Sequence, residues 1–226
     1  MRQITKIALV LLLFCSPLAA QEITIQDYIG VGASEYDGNT DFTSADDAAL
    51  GLYAYSGQRI RFINPAEITE VWAVVVPYNG FDFNSPEVIQ YRIALWSSIP
   101  EFRLNPNAPN LGEVSLPSPN LGDTVNPVGT GFWGDDMFLI GFDIEGLGLN
   151  APTCTTCVIA LIVENDFNRN GAIGIAESDV DRRVSRMITN SSFFPRTQPT
   201  AISIARDISW AQTSSASLSM LIRGKE

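Results

Sequence analysis

Hydrophobic and polar residues alternate in short runs along most of the chain, and no segment carries a long helical period. Residues 88–96 set the type. Tyr91, Ile93 and Leu95 fall on one side and Arg92, Ala94 and Trp96 on the other, the period of two that a strand imposes. In 137–144, Phe138, Ile140, Phe142 and Ile144 share a face; in 217–223, Leu218, Met220 and Ile222 alternate with Ser217, Ser219 and Leu221. Residues 70–76 are dense in Val and Trp, as in a central strand covered on both faces, and stop at Pro77. Residues 22–26 alternate as well. The runs 50–55 and 58–63 flank Ser56-Gly57, which reads as a hairpin. Segments rich in Gly, Pro, Asn, Asp and Ser separate these runs. Residues 30–47 read as a long surface loop, 100–127 as a long irregular connection with a short strand near 111–116, and 178–200 as polar chain without a period. Short strands with such turns between them predict an all-β domain, a single antiparallel β-sandwich of jelly-roll type.

The stretch 157–177 supports two incompatible readings. Asp166, Asn168, Asn170, Gly171, Ile173 and Glu177 fit the spacing of an EF-hand calcium loop, and oxygen ligands with a closing bidentate Glu suit a hard cation. That loop needs a helix on each side, whereas 158–163 is β-branched with no polar face. The alternative is a hairpin closed by Arg169-Asn170-Gly171, pairing Phe167 with Ile173, Asn165 with Ile175 and Val163 with Glu177. Its apolar residues then share one side, and Asp166 and Glu177 point to opposite faces. The hairpin is the reading adopted. No cofactor is expected, and calcium at Asp166, Asn168, Asn170 and Glu177 is the alternative set aside. Asp37, Asn39 and Asp41, followed by Asp46 and Asp47, also have the spacing of cation ligands. Without the turn Gly they read as a solvated acidic loop.

Residues 1–20 change the compartment. Arg2 and Lys6 precede an apolar stretch over 7–14, and Leu18-Ala19-Ala20 ends in small residues, the layout of a cleaved signal peptide too short to span a bilayer. A lipoprotein would use Cys15, and the bulky Phe14 argues against it. The expected mature domain is 21–226, destined for secretion or the cell surface, or for the periplasm. It carries 12 basic against 25 acidic residues, a net −13, which disfavours nucleic acid and anionic lipid as partners. Cys154 and Cys157 are its two cysteines. In an oxidising compartment the pair reads as a local disulfide; a redox-active pair would want the start of a helix. The chain has no His, which removes Ser-His and Cys-His nucleophiles and the common zinc sites.

The order of features resembles a broad family, the secreted bacterial jelly-roll domains of the PEP-CTERM and choice-of-anchor type. The resemblance rests on Ala45-Asp46-Asp47 and on the strand 68–76. It continues through Tyr91 to Trp96, the Pro/Gly-rich loop ending at Leu111-Gly112, the strand pair around Cys157 and Glu177, and Leu221-Ile222-Arg223-Gly224. The chain departs from it in showing no sorting tail after Glu226. The resemblance implies a jelly roll of eight or nine strands and an extracellular setting, and transfers no catalytic residues.

The function expected on this basis is an exported, non-catalytic binding module for an extracellular polysaccharide. Its candidate residues are Phe132 and Trp133 in a Gly-rich loop, Asp135 and Asp136 beside them, and Tyr78. Flat aromatic faces suit the apolar face of a sugar, and carboxylates suit its hydroxyls. For Phe81 and Phe83, in the same loop region as Tyr78, a core role is the stronger reading. A structural or adhesive protein with a surface-protein partner, and a glycan-cleaving enzyme on the same scaffold, are the alternatives. A sheet face carrying paired carboxylates or a Tyr-Lys-Arg group would favour the enzyme.

Overall fold

The computed structural model describes residues 21–29, 36–130, 135–178, 185–189, 201–204, 209–214 and 217–226, with backbone only for 36–42, 123, 185–187, 201–204 and 209–214. In chain order the strands are β1 (Glu22–Asp27), β2 (Tyr36–Thr43), β3 (Ala45–Asp47), β4 (Leu52–Phe62), β5 (Ala66–Tyr78), β6 (Val88–Trp96), β7 (Gly112–Leu116), β8 (Leu121–Thr130), β9 (Asp136–Asp143), β10 (Asn150–Ala151), β11 (Cys154–Asn165), β12 (Ala172–Ser178), β13 (Ser185–Thr189), β14 (Ala201–Ile204), β15 (Ser209–Ser214), β16 (Ser217–Leu218) and β17 (Met220–Lys225). A short helix spans Ile99–Leu104 and a one-turn helix Phe167–Asn170. No described helix is long and apolar enough to cross a membrane.

The strands form two sheets. In one, β5 is the axis: β17 and β12 pair with successive parts of it, β9 and β10 also pair with it, and β1, β2, β8 and β16 extend the sheet. The other runs β14-β15-β13-β4-β3-β11-β6-β7, with β4 also bonded to β11. Among the described residues all strand pairs are antiparallel except β3 with β11. The core lies between the sheets. Val71, Ala73 and Val75 of β5 and Ile140 and Phe142 of β9 share one cluster with Tyr91, Ile93 and Leu95 of β6 and Ile159, Leu161 and Val163 of β11. The fold is thus an all-β sandwich, and the faces expected of β5, β6, β9 and β17 are the faces it buries.

A second, smaller cluster lies on the outer side of the β4–β11–β6 sheet. Val158, Ala160 and Ile162 of β11 pack there with Ala94, Trp96, Tyr55 and Phe102. The helix Ile99–Leu104 provides the cover. Ser98 caps it, accepting from the Glu101 amide at 3.3 Å, and Pro100 sits at its start. Residues 100–127 are therefore a helix and two strands rather than an irregular connection. This cover also explains why β11 has no polar face: both its faces are buried.

Three other expectations fail for local reasons. The two runs 50–55 and 58–63 fall on one continuous strand, β4 (Leu52–Phe62), not on a hairpin. Gly57 lies in mid-strand, where an added Cβ would stand 2.5 Å from Val158 Cγ1 and 2.8 Å from Phe102 Cε1; its missing side chain admits the packed ring. Residues 36–47, expected within a surface loop, form β2 and β3. Asp47 is buried, accepting from the Leu50 and Phe167 amides at 3.0 Å each. The hairpin over 157–177 is overturned as well: β11 and β12 belong to opposite sheets. Asp166 caps the one-turn helix between them, accepting from the amides of Asn168 (3.0 Å) and Arg169 (3.2 Å). Gly171, at φ +61°, then turns the chain against the carbonyls of Tyr78 and Asn79, where a Cβ would collide with backbone.

Cys154 and Cys157 form a disulfide with Cα atoms 5.9 Å apart. It spans a bulge: Cys154 pairs with Phe62 and Cys157 with Ile60, so two residues of β11 oppose one of β4. Closing so small a loop should contribute about 2 kcal/mol by loop entropy. Thiol titration of the denatured, unreduced mature chain should find no free Cys, and denaturant melts with and without reductant should differ by about that amount. A reductive loss more than twice as large would mean that the bulge depends on the bond for its fold.

Candidate functional site

The feature with the most concentrated chemistry lies on the outer face of the second sheet, beside the covering helix. It starts from β3, three residues wedged between β4 and β11. Ala45 and Asp47 point inward, so Asp46 points out, opposite Tyr53 on β4 and Glu164 on β11. The alternation of β4 places Tyr53 and Tyr55 on that face. The alternation of β6 places Arg92 there, since its neighbours Tyr91 and Ile93 are in the core. Glu113 of β7 adds a further carboxylate. The segment after the helix completes the group: Trp96 Nε1 donates to the Asn105 carbonyl at 3.0 Å, which pins the loop carrying Asn107.

These side chains surround a cavity of about 250 Å³ walled by Asp46, Tyr53, Tyr55, Arg92 and Asn107, with Ala48 and Gly51 from the β3–β4 turn. The Tyr55 hydroxyl donates to Asp46 Oδ2 at 2.6 Å and accepts from Arg92 Nη2 at 3.1 Å. Arg92 Nη2 also donates to Asp46 Oδ2. Its Nη1 lies 3.3 Å from Glu113 Oε2 and its Nε 4.0 Å from Glu164 Oε2, and Glu164 accepts from Gln90 at 2.7 Å. The guanidinium carbon stands 5.6 Å from the Tyr55 ring centre, and the Tyr53 and Tyr55 rings are 4.9 Å apart. Three carboxylates therefore surround one cation.

Burial sets the protonation states. Desolvation pushes Asp46 above the usual carboxylate range, although the Tyr55 hydrogen bond and Arg92 work the other way. Desolvation, reinforced by the hydrogen bond to Asp46, pushes Tyr55 far above the usual phenol range. Tyr55 thus keeps its proton at physiological pH.

The residues singled out from sequence are placed otherwise. Phe132 and Trp133 lie outside the described residues. Asp135 and Asp136 are exposed at the start of β9. Tyr78 is half-buried against the core, its hydroxyl donating to Thr43 Oγ1 at 2.5 Å. Phe81 and Phe83 belong to the sandwich interior and its margin, and Phe83 meets Phe138 edge-on. The metal candidates are dispersed in their roles. Asp166 caps a helix and pairs with Arg169 at 3.4 Å, Asn168 is exposed, Asn170 accepts from the Asp82 amide at 2.9 Å, and Glu177 is buried in β12. Among the described residues no three or more His, Cys, Asp or Glu side chains are gathered to hold a metal ion. Tyr53, Tyr55, Arg92 and Asn107 are site residues that pattern reading passed over, and Asp46 was read there as part of a solvated acidic loop. The usable signal was Tyr53-x-Tyr55 together with a lone Arg92 on the non-core face of a strand, since a charge there needs a partner on a neighbouring strand.

No protein family, curated protein or solved structure matches the chain.

Proposed function

We propose that the chain is an exported, non-catalytic module that binds an extracellular polysaccharide in the cavity over β3, β4 and β6. The observation that carries this reading is the half-buried Tyr53 ring walling a cavity beside Asp46 and Asn107, with the buried Tyr55 ring packed behind it at 4.9 Å. Aromatic faces take the apolar face of a sugar, and the carboxylate and amide orient its polar groups. A volume near 250 Å³ is at the small end for ligand sites and suits one or two sugar units rather than a long groove. The tyrosine–arginine–carboxylate grouping is what an enzyme on this scaffold would show. Against that reading, Tyr55 and Arg92 Nη2 direct their hydrogen bonds to one another and to Asp46, and the chain has no His to move protons. The expected export and the resemblance to secreted jelly-roll domains agree with this assignment.

Affinity electrophoresis through gels cast with single polysaccharides tests it. The wild-type chain should be retarded by at least one glycan, and Tyr53→Ala should run unretarded while keeping its β-sheet circular dichroism. Unchanged retardation of Tyr53→Ala would move the site elsewhere. Release of new reducing ends or unsaturated products would favour the enzyme instead.

A further inference from the structure

We infer that Asn79 is a site of spontaneous covalent modification, at which the side-chain amide is lost and an aspartyl or isoaspartyl residue takes its place. The chain contains two Asn-Gly steps, Asn79-Gly80 and Asn170-Gly171. Such a step is reactive because glycine has no side chain to shield its amide nitrogen. That nitrogen attacks Cγ of the preceding asparagine and closes a five-membered imide. The N–Cγ bond forms and the Cγ–Nδ2 bond breaks. The displaced NH2 group takes up the amide proton and leaves as ammonia. Water then opens the imide at either carbonyl. One opening gives Asp; the other gives isoaspartate, whose main chain runs through the side-chain carbonyl. Water is the one reactant added.

The fold treats the two steps differently. Asn170 is buried, and both ends of its side-chain amide are held: Oδ1 accepts from the Asp82 amide at 2.9 Å, and Nδ2 donates to the Asp82 carbonyl at 3.2 Å. The Gly171 amide donates to the Phe167 carbonyl at 3.0 Å, so the nucleophile is occupied as well. Asn79 and Gly80 are the reverse case. Both are exposed in the turn that follows β5, at φ +55° and +80°. Among the described residues neither the Asn79 side chain nor the Gly80 amide makes a hydrogen bond. A Cβ at Gly80 would meet nothing within 4 Å, so the turn faces open space. The backbone bond that closes the turn, from the Phe81 amide to the Tyr78 carbonyl, is 3.3 Å long. Exposed turns of this kind open without unfolding the rest of the chain, and opening lets the Gly80 nitrogen reach Cγ.

The position gives the reaction a structural consequence. The Asn79 carbonyl packs against Gly171, where an added Cβ would stand 2.6 Å from Asn79 O and 2.3 Å from Tyr78 O. Isoaspartate inserts a methylene into the main chain at this contact and displaces the carbonyl. The crossing from β11 to β12 docks on the 78–82 segment through Asn170 and Gly171, so the modification loosens it.

The test holds the purified, folded protein at mildly alkaline pH and physiological temperature and maps its peptides by mass spectrometry over time. Labelling with an isoaspartyl methyltransferase tells isoaspartate from Asp. Asn79 should convert about tenfold faster or more than Asn170, because the buried step reacts only after a packed region opens. In denaturant, where neither step is protected, the two rates should converge. Asn79→Gln closes a six-membered ring far more slowly and should end the conversion at this position while Asn170 stays intact. Converted protein, separated by anion exchange through its added negative charge, should unfold at a lower urea concentration than unconverted protein. An Asn79 that stays intact, or that converts no faster than Asn170 in the folded protein, would overturn the site. Isoaspartyl protein with an unchanged urea midpoint would overturn its coupling to the β11–β12 crossing.

Discussion

Phe102→Ala should lose about 3–5 kcal/mol of stability, the range for truncating a buried Phe, and should weaken ligand binding although Phe102 does not line the cavity. The ring is fully buried, meets Trp96 at 4.8 Å edge-on, and lies over Gly57 and Val158. It is the buried side chain of the helix Ile99–Leu104. Without it the outer faces of β11 and β6 lose their cover, and the loop behind the helix loses its anchor. That loop delivers Asn107 to Tyr55. Denaturant melts should therefore show the lost stability, and calorimetry under conditions where the variant is still folded should show weaker binding. A loss below about 1 kcal/mol, more typical of a surface change, would mean that the Trp96–Asn105 hydrogen bond alone holds the segment.

The interior was legible because it rests on a period of two. Tyr91, Ile93 and Leu95, and Phe138, Ile140, Phe142 and Ile144, lie on the faces that their alternation assigns. What escaped depends on which sheet a strand joins, and no local pattern encodes that. Asp166 to Gly171 has turn chemistry whether the chain folds back on itself or crosses to the opposite sheet; the crossing is decided by Asn170 and Gly171 docking on the 78–82 segment. Ser56-Gly57 carried a true signal with the wrong cause, because a glycine needed for a turn and one needed beneath a ring look alike in sequence. The site escaped for a related reason. Asp46, Tyr55, Arg92 and Asn107 come from four separate elements, and only the insertion of β3 between β4 and β11 brings them together. Asp46 sat in a stretch whose Gly, Asp and Ser content pointed to loop.

Arg92→Met should cost about 3–5 kcal/mol at neutral pH, the typical result of removing one partner from a buried ion pair. The penalty should shrink as pH falls toward about 4. Arg92 and Asp46 keep only 12% and 20% of their side-chain surface exposed, so solvent screens the pair weakly. Met preserves much of the apolar stem that packs beside Tyr55, so the loss reports mainly on charge. Desolvation already holds Asp46 above its ordinary 3.8, and Arg92 is among the groups pulling it down. Without the guanidinium the shift upward grows. A carboxyl whose folded-state value exceeds its unfolded one binds its proton more tightly when folded. Its contribution to stability is therefore fully present below the unfolded value and is lost as pH rises through the folded value. At low pH Asp46 is protonated in both proteins and the missing cation matters little; near neutrality the variant holds an unpaired carboxylate beside Glu164. Urea melts from about pH 4 to 8 should show wild-type and variant curves diverging with pH, and Asp46→Asn in the Arg92→Met background should close most of the gap. A gap that stays constant or widens in acid would mean that Arg92 acts through its packing on Tyr55, and that the cluster is not held together by charge.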